Sequence, residues 1–402
     1  MDLIVQKFGG TSVANAERIK HVADIIIKTY NQGSNVVVVV SAQGKFTDVL
    51  VDKANEINPK ASKREMDMLL SAGEQISVSL LAMAIEKQGY PVKSFLGWQA
   101  GFVTDSHHSN ARIVRIDKER LENELAKRTI LIVAGFQGVN RYDDMTTLGR
   151  GGSDTSAVAL AAVLNASKCQ IFTDVDGVYT ADPRMVPTAV KLDEISYDEM
   201  LELTSLGAQV LHNRSVEMAK RYNVNMEVLS SMEEKPGTII KEVVTVEKMI
   251  IRGVAQDVNV ARISLTELKD QPGIAFKVFS LLSSKKINVD IILQSIGRDD
   301  TKDITFTVAK DNADAAIELL NQNKELIGIH EIICDKQIAK VSIVGAGMES
   351  NPGIASKMFE ALSSANVNIQ MISTSEIKIS VLIDIRDAQR AVSAIHDAFY
   401  GN

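Results

Sequence analysis

Two glycine-rich turns in this chain carry a cation, and each stands where a strand pattern gives way to a helix pattern. The first is Lys7-Phe8-Gly9-Gly10-Thr11-Ser12 and the second is Gly149-Arg150-Gly151-Gly152, which leads into an amphipathic helix expected to begin near Asp154. A glycine turn that opens a helix presents free backbone N–H groups and so suits an anion. Lys7 can neutralise charge on a transferring group, and the Arg150 guanidinium fits a carboxylate. A loop after the next strand adds Thr173, Asp174, Asp176, Tyr179, Asp182 and Arg184. One chain therefore offers sites for two anionic groups, such as an acidic substrate and a nucleotide phosphate. The first turn is not a Walker A loop, because GxxxxGK[ST] is absent and the lysine precedes the glycines. By itself it is equally compatible with a plain strand–helix turn bearing a surface lysine.

The remaining chemistry-bearing residues narrow the reaction. Glu74, in Ser71-Ala72-Gly73-Glu74-Gln75-Ile76-Ser77, falls in a helical run and without context reads as a solvated glutamate. Six histidines show no metal-ligand spacing and no triad pattern, and Cys169 and Cys334 stand apart without CxxC spacing. No general base is evident. A hydroxyl acceptor would need one, whereas a carboxylate with a pKa of about 4 is already ionised at neutral pH. Phosphoryl transfer to a carboxylate needs mainly positioning and charge neutralisation.

The elements that must hold these residues alternate strand and helix over roughly the first 245 positions. Strands are expected at Leu3–Lys7, Val36–Ser41, Ile130–Ala134 and Gln170–Asp174. Helices are expected at Ala16–Tyr30, within Glu65–Lys87, and at Ser153–Leu164, Ser196–Gly207 and Ser215–Tyr222. This pattern implies an α/β fold, a mainly parallel sheet with helices on both faces, whose ligands bind at the carboxyl ends of strands. The glycine turns, Ser41, Gly135 and Thr173 all follow strands and should meet at that edge.

The rest of the chain is a duplication. Gln271–Ser295 and Asn351–Ser375 match at 12 of 25 positions with an offset of 351 − 271 = 80 residues. Each copy reads as a βαββαβ module. The second copy lacks its last strand, and 249–256 is expected to supply it. In both copies a Pro-Gly turn opens a helix, with Asn288, Asp290 and Gln294 opposite in one and Asn366, Asn368, Ser375 and Glu376 in the other. Repetition of the same polar residues favours a ligand site over turn chemistry alone.

Composition agrees with an ordinary globular protein. Hydrophobic residues are 45%, charged residues 24%, and the net charge is −7 with no basic block, which disfavours nucleic acid as a partner. No signal peptide is apparent at the start, and Val36–Val40 is far too short to span a membrane. The isolated cysteines fit a reducing cytoplasm.

At this point the chain resembles the aspartokinases, of the monofunctional kind that carries two ACT modules. VQKFGGTS at Val5–Ser12, SAGEQIS at Ser71–Ser77, AGFQGV at Ala134–Val139, TTLGRGGSDTSA at Thr146–Ala157 and TDVDGVYTADPR at Thr173–Arg184 occur in order. The resemblance implies an amino-acid kinase domain over 1–245, a first ACT module over 260–337 and a second over 338–402. It implies transfer of phosphate from MgATP to the side-chain carboxylate of L-aspartate, the first step towards lysine, threonine and methionine. Catalysis would fall to Lys7, Arg150 and Asp154. Aspartate would be held by Ser41, Thr47, Glu74, Arg150, Gly151, Gly152 and Ser153. ATP would meet Lys7, Phe8, Gly9, Gly10, Thr173, Asp174, Tyr179, Thr180, Ala181, Asp182, Pro183, Arg184 and Gln209. Magnesium would come with the nucleotide, with no metal site on the protein itself.

Feedback control by lysine, threonine or both would act at Asp270, Gly273, Ile274, Ala275, Asn288, Asp290, Gln294, Ile354, Ala355, Asn368, Ser375 and Glu376. The resemblance also implies a homo-oligomer joined through ACT modules, with a separate ACT-only subunit possible from an internal start at Met249. Two departures stand out. Gln209 replaces a lysine that many relatives have, and His212-Asn213-Arg214 replaces HPR, which is expected to loosen a turn. A sensor with a decayed kinase domain, or a kinase of the same fold with another acceptor, are the competing readings.

Overall fold

Five consecutive valines, Val36–Val40, explain where the first core lies: all are buried. They form most of the strand Asn35–Val40, and each contributes about 1.5–3 kcal/mol of gross burial. A computed structural model describes residues 2–207, 210–242, 251–296, 301–346, 348 and 351–401. The chain divides into two compact units. One is Met1–Tyr179 with Val190–Val246, and the other is Thr180–Ala189 with Glu247–Asn402.

The first unit is a sheet of eight strands among the described residues. Its order is Glu194–Ser196, Thr238–Lys241, Met226–Ser230, Lys168–Thr173, Leu3–Phe8, Asn35–Val40, Ile130–Ala134 and Val92–Phe95. All neighbours run parallel except Met226–Ser230 with Thr238–Lys241. The helices Ala16–Asn31 and Ala72–Glu86 pack on one face, against Val36, Val38, Val40, Ile130 and Ile132. Asn15 starts the first of these by accepting the Arg18 N–H on its side chain. The run Lys63–Glu86 is long and apolar enough by length and composition to cross a membrane. Here it is two helices, Lys63–Leu70 and Ala72–Glu86, and the second buries Val78, Leu81 and Ile85 in the sheet's core.

The helix Gly152–Val163 differs from expectation. It is not amphipathic: every residue from Gly152 to Ala161 is buried. It packs against the central strands on one side and the helix Asn213–Tyr222 on the other, so no face meets water. A second, smaller sheet of Ile113–Ile116, Phe102–Thr104, Gln137–Val139 and Met145–Thr147 also has no counterpart in the sequence reading.

The second unit contains two antiparallel four-stranded sheets among its described residues. One runs Val289–Ile296, Thr301–Ala309, Val260–Lys269, Glu331–Asp335, and the helix Ile274–Ser284 and Ala313–Gln322 pack their apolar residues against it. The other runs Gly253–Asp257, Ile338–Val344, Lys378–Asp384, Met371–Thr374. Gly253–Asp257 pairs with Ile338–Val344 as Glu331–Asp335 pairs with Val260–Lys269 in the first sheet. Met249 and Ile250 lie outside the described residues. Gly273 and Gly353, at φ +92° and +97°, open the helices Ile274–Ser284 and Ile354–Ser364 in the left-handed conformation that glycine tolerates.

Candidate active site

The carboxyl ends of the central strands stand side by side. Gly9 donates to Phe172 O, Ser41 to Phe8 O, and Gly135 to Val40 O, so three strand ends are stitched in register. Phe8 stacks on Phe172 at 4.6 Å beneath this rim. The first glycine turn then closes on the loop after Val40. Gly44 N donates to Gly10 O at 2.9 Å, and a Cβ on Gly10 would stand 2.6 Å from Ala42 O. No larger residue fits there without moving one of the two turns.

Lys7, the last residue but one of its strand, forms an ion pair with Asp154 Oδ1 at 2.7 Å, each side chain only 12% exposed. Asp154 sits in the first turn of Gly152–Val163, whose N-cap Gly151 has φ +66°. A carboxylate is favourable against those helix N–H groups. It also holds the Lys7 ammonium at the rim, so a bound phosphate would meet a cation already in place. Ser153 packs against Gly135, where a Cβ would approach its Oγ to 2.8 Å. Gly151 is pressed against His212, which leaves no room for a side chain. Arg150 is exposed beside them, and Ser41 and Thr47 are half-buried.

Glu74 is the sharpest departure from a sequence-level reading. It is 4% exposed, not solvated. Its Oε1 accepts the Ala42 N–H at 3.0 Å, next to Ser41, while Oε2 is buried with no hydrogen-bond partner. Burial pushes its pKa up to about 7, a rise that the Ala42 bond offsets only in part. A buried carboxylate with one free oxygen at this rim is suited to receive an ammonium group.

Thr173 ends the strand next to that of Lys7 and Asp174 follows it, and the Thr173 hydroxyl donates to Asp174. Tyr179 donates to Asp176, which also takes the Lys191 ammonium, and its phenol is raised to about 12 chiefly by the Asp176 bond. Thr180, Ala181, Asp182, Pro183 and Arg184 fall in the second compact unit. There Thr180 is fully buried against His396 Nε2 at 2.9 Å, Ala181 is part of the core, and Asp182 holds Arg184 at 2.7 Å. Gln209 lies outside the described residues. Asn213 does not loosen its turn: its side chain bonds Thr204 and Ser205, and His212 caps the helix by accepting the Arg214 N–H.

In the second unit the positions expected for an effector are mostly exposed, among them Asn288, Gln294, Asn368, Ser375 and Glu376, while Ala275, Ile354 and Ala355 are half-buried. Ile274 is the exception, 1% exposed in the core, so only its backbone can face a ligand. Asp270 is paired with Lys302 at 2.8 Å, and Asp290 with the buried Lys340 at 2.5 Å. Among the described residues no group of three or more His, Cys, Asp or Glu side chains could hold a metal.

Two residues that matter to this geometry were not singled out from sequence. Ala42 contributes only a backbone N–H, which no residue type advertises. Asp67, buried and ringed by donors, resembles any helix aspartate in sequence.

Comparison with known proteins agrees with this architecture. Residues 2–230 match the amino acid kinase family, and residues 263–323 and 341–399 match the ACT domain. An aspartokinase of Bacillus sp. (strain MGA3) is 50% identical over 400 residues, covering 99% of this chain and 97% of that protein. Aspartokinase 2 of Bacillus subtilis (strain 168) is 50% identical over 400 residues, covering 99% and 98%. Among solved structures, E. coli aspartokinase III in complex with aspartate and ADP (R-state) superposes with a TM-score of 0.85. It is 26% identical, covering 99% of this chain and all of that one. The same E. coli protein in complex with lysine and aspartate (T-state) gives a TM-score of 0.77 at 26% identity, covering 99% of each chain. The rim, the duplicated modules and these likenesses together make the chain an enzyme of the amino acid kinase family, in its aspartokinase branch.

Proposed function

We propose that the enzyme transfers the γ-phosphoryl group of ATP to the side-chain carboxylate of L-aspartate, giving 4-phospho-L-aspartate and ADP. The observation that carries this reading is the Lys7–Asp154 pair at the glycine rim, beside the half-satisfied Glu74 carboxylate. Aspartate's ammonium would pair with Glu74 and its α-carboxylate with Arg150, helped by Ser41, Thr47, Ser153 and the Gly151–Gly152 backbone. A side-chain oxygen then attacks the γ-phosphorus, the P–O bond to the β-phosphate breaks, and Lys7 balances charge on the oxygens between them. Nothing on the acceptor needs deprotonating, because its carboxylate is already ionised at neutral pH. The nucleotide would lie over Phe8–Gly10, Thr173, Asp174 and Tyr179. Magnesium would arrive on the phosphates, as is usual for this ion, since it keeps waters and one or two carboxylates at most.

The domain limits that follow are 1–245 for the kinase and 260–337 and 338–402 for the ACT modules, the second completed by 249–256. The product would enter lysine, threonine and methionine synthesis in the cytoplasm. The chain would assemble through ACT modules, with an ACT-only subunit started at Met249 as a further form. The direct assay traps the acyl phosphate with hydroxylamine. With aspartate and MgATP a hydroxamate should accumulate at the rate of ADP release. Glutamate in place of aspartate should give less than about a hundredth of that rate, because with its α-groups on the same anchors the extra methylene carries its side-chain carboxylate out of line with the γ-phosphorus. Equal rates with glutamate, or no hydroxamate, would reject the reading.

Lysine, threonine or the two together would bind the ACT modules and inhibit. An effector ammonium directed to Asp290 meets a site where Lys340 already stands. Lys340→Met should therefore lower the half-inhibitory effector concentration about two- to fivefold, the range expected for removing one partly exposed competing ion pair. A titration that shifts upward, or shows no inhibition by either amino acid or their mixture, would contradict this.

A further inference from the structure

Asp67 is fully buried on the helix Lys63–Leu70, and its carboxylate gathers donors from the strand that leads into the second glycine turn. It accepts the Ser109 N–H at 2.9 Å and 3.0 Å on its two oxygens, the Thr147 N–H at 3.0 Å and the Thr147 hydroxyl at 2.7 Å. His108 Nδ1 lies 3.0 Å from Oδ2. A buried carboxylate persists only when its oxygens are satisfied in this way.

The donors come from two separate stretches, the loop at 105–111 and the strand Met145–Thr147. Thr147 stands three residues before Arg150. From the other side, Arg214 donates to Leu148 O and to Ala111 O, each at 2.8 Å. Ala111 N donates to Thr147 O, and Leu148 N donates to Phe136 O. Every backbone polar group of Thr147 and Leu148 is thus tied. The left-handed residues that follow, Gly149 at φ +79° and Gly151 at +66°, are entered along one fixed path. Ser109 O also lies 2.9 Å from where a Cβ on Gly149 would stand, so the loop and the turn fit only in this register.

We propose that Asp67 is a positioning residue for the acceptor: through Thr147 and Ser109 it sets the Gly149–Gly152 turn, and hence Arg150, for a substrate carboxylate. This rests on the reading of that turn as the aspartate-binding turn. A displacement on the order of 1 Å in such a group costs about 100-fold in rate or affinity. Asp67→Asn keeps the volume but points an amide NH₂ at donors that now lack an acceptor.

Steady-state kinetics on the full-length enzyme test the proposal. Asp67→Asn should raise the aspartate KM about tenfold or more while the MgATP KM stays within about twofold. Thr147→Val removes only one donor and keeps both backbone bonds, so it should fold even if Asp67→Asn does not. It should raise the aspartate KM about threefold. A merely structural role would instead lower the active fraction, and so kcat, with both KM values unchanged or moving together. That result in both variants overturns the proposal. Arg150→Ala, measured alongside, separates the two levels. If it leaves the aspartate KM unaltered, the acceptor reading of the turn fails. If it raises that KM while Asp67→Asn and Thr147→Val do not, the positioning role alone fails.

Discussion

Lys7→Ala should lower kcat by about 10²–10³-fold, the cost typical of removing one preorganised group that meets developing charge. Aspartate binding should remain measurable, because Lys7 is paired with Asp154 and not with the residues proposed to hold the acceptor. The loss has two parts. The rim forfeits its cation, and Asp154 is left as a nearly buried, uncompensated carboxylate facing the incoming phosphate. A second variant separates them. Lys7→Ala with Asp154→Asn should recover part of the loss, since the unpaired negative charge is gone while the missing cation is not. Stopped assays at saturating ATP and aspartate, with binding of aspartate followed by calorimetry, check both claims. An unchanged kcat would remove Lys7 from the mechanism.

Glu74→Gln should raise the aspartate KM by about 100-fold, the loss expected when a buried ammonium–carboxylate pair is cut. The MgATP KM should change little. The native enzyme should show the same dependence through pH. Burial raises Glu74 to about 7, so near neutrality the free enzyme is divided between protonated and ionised forms. Only the ionised form pairs with an ammonium. The aspartate KM should therefore fall as pH rises through about 7 and level off above it, rising about tenfold per unit on the acid side. Glu74→Gln should flatten that limb of the profile.

Stability runs the other way. A carboxyl whose folded pKa is raised makes no demand below its unfolded value near 4.5. It costs stability as pH climbs from there through about 7, to a limit on the order of 3 kcal/mol. Glu74→Gln should accordingly melt several degrees higher than the native enzyme at pH 8 and at nearly the same temperature at pH 5. A variant that binds aspartate normally, or that loses only ATP affinity, would refute the assignment.

Long apolar runs and glycine punctuation made much of the scaffold readable. Ile130–Ala134 is found at the limits expected, and the Pro-Gly turns open helices, at Ile274 and Ile354, because in each a Gly or Pro-Gly boundary coincides with a change of hydrophobic period. The mainly parallel sheet followed from βα alternation. Elements of three or four residues, such as Phe102–Thr104 and Met145–Thr147, were not legible, since so short a strand shows no period. The helix Phe46–Ile57 was also missed, and only Leu50 in it is buried.

At the site, residue types singled out Lys7 and Asp154, which lie 147 positions apart in sequence and meet as an ion pair. What sequence concealed was environment. Glu74 looks solvated until Ala42 and the sheet enclose it. Thr180–Ala189 continues an unbroken motif from Tyr179, yet its apolar members Ala181 and Val186 are buried in the core of the second unit. Contiguity in sequence does not decide on which core a loop rests; the nearest apolar surface does.

The most direct measurement is a structure of the full-length enzyme with a non-hydrolysable ATP analogue, magnesium and aspartate. It should place a γ-phosphate oxygen about 3 Å from Lys7 Nζ, with the acceptor's ammonium on Glu74 and its side-chain oxygen in line with the γ-phosphorus. A triphosphate lying away from Lys7, or an aspartate bound without touching Glu74 or the Gly149–Gly152 turn, would contradict the account.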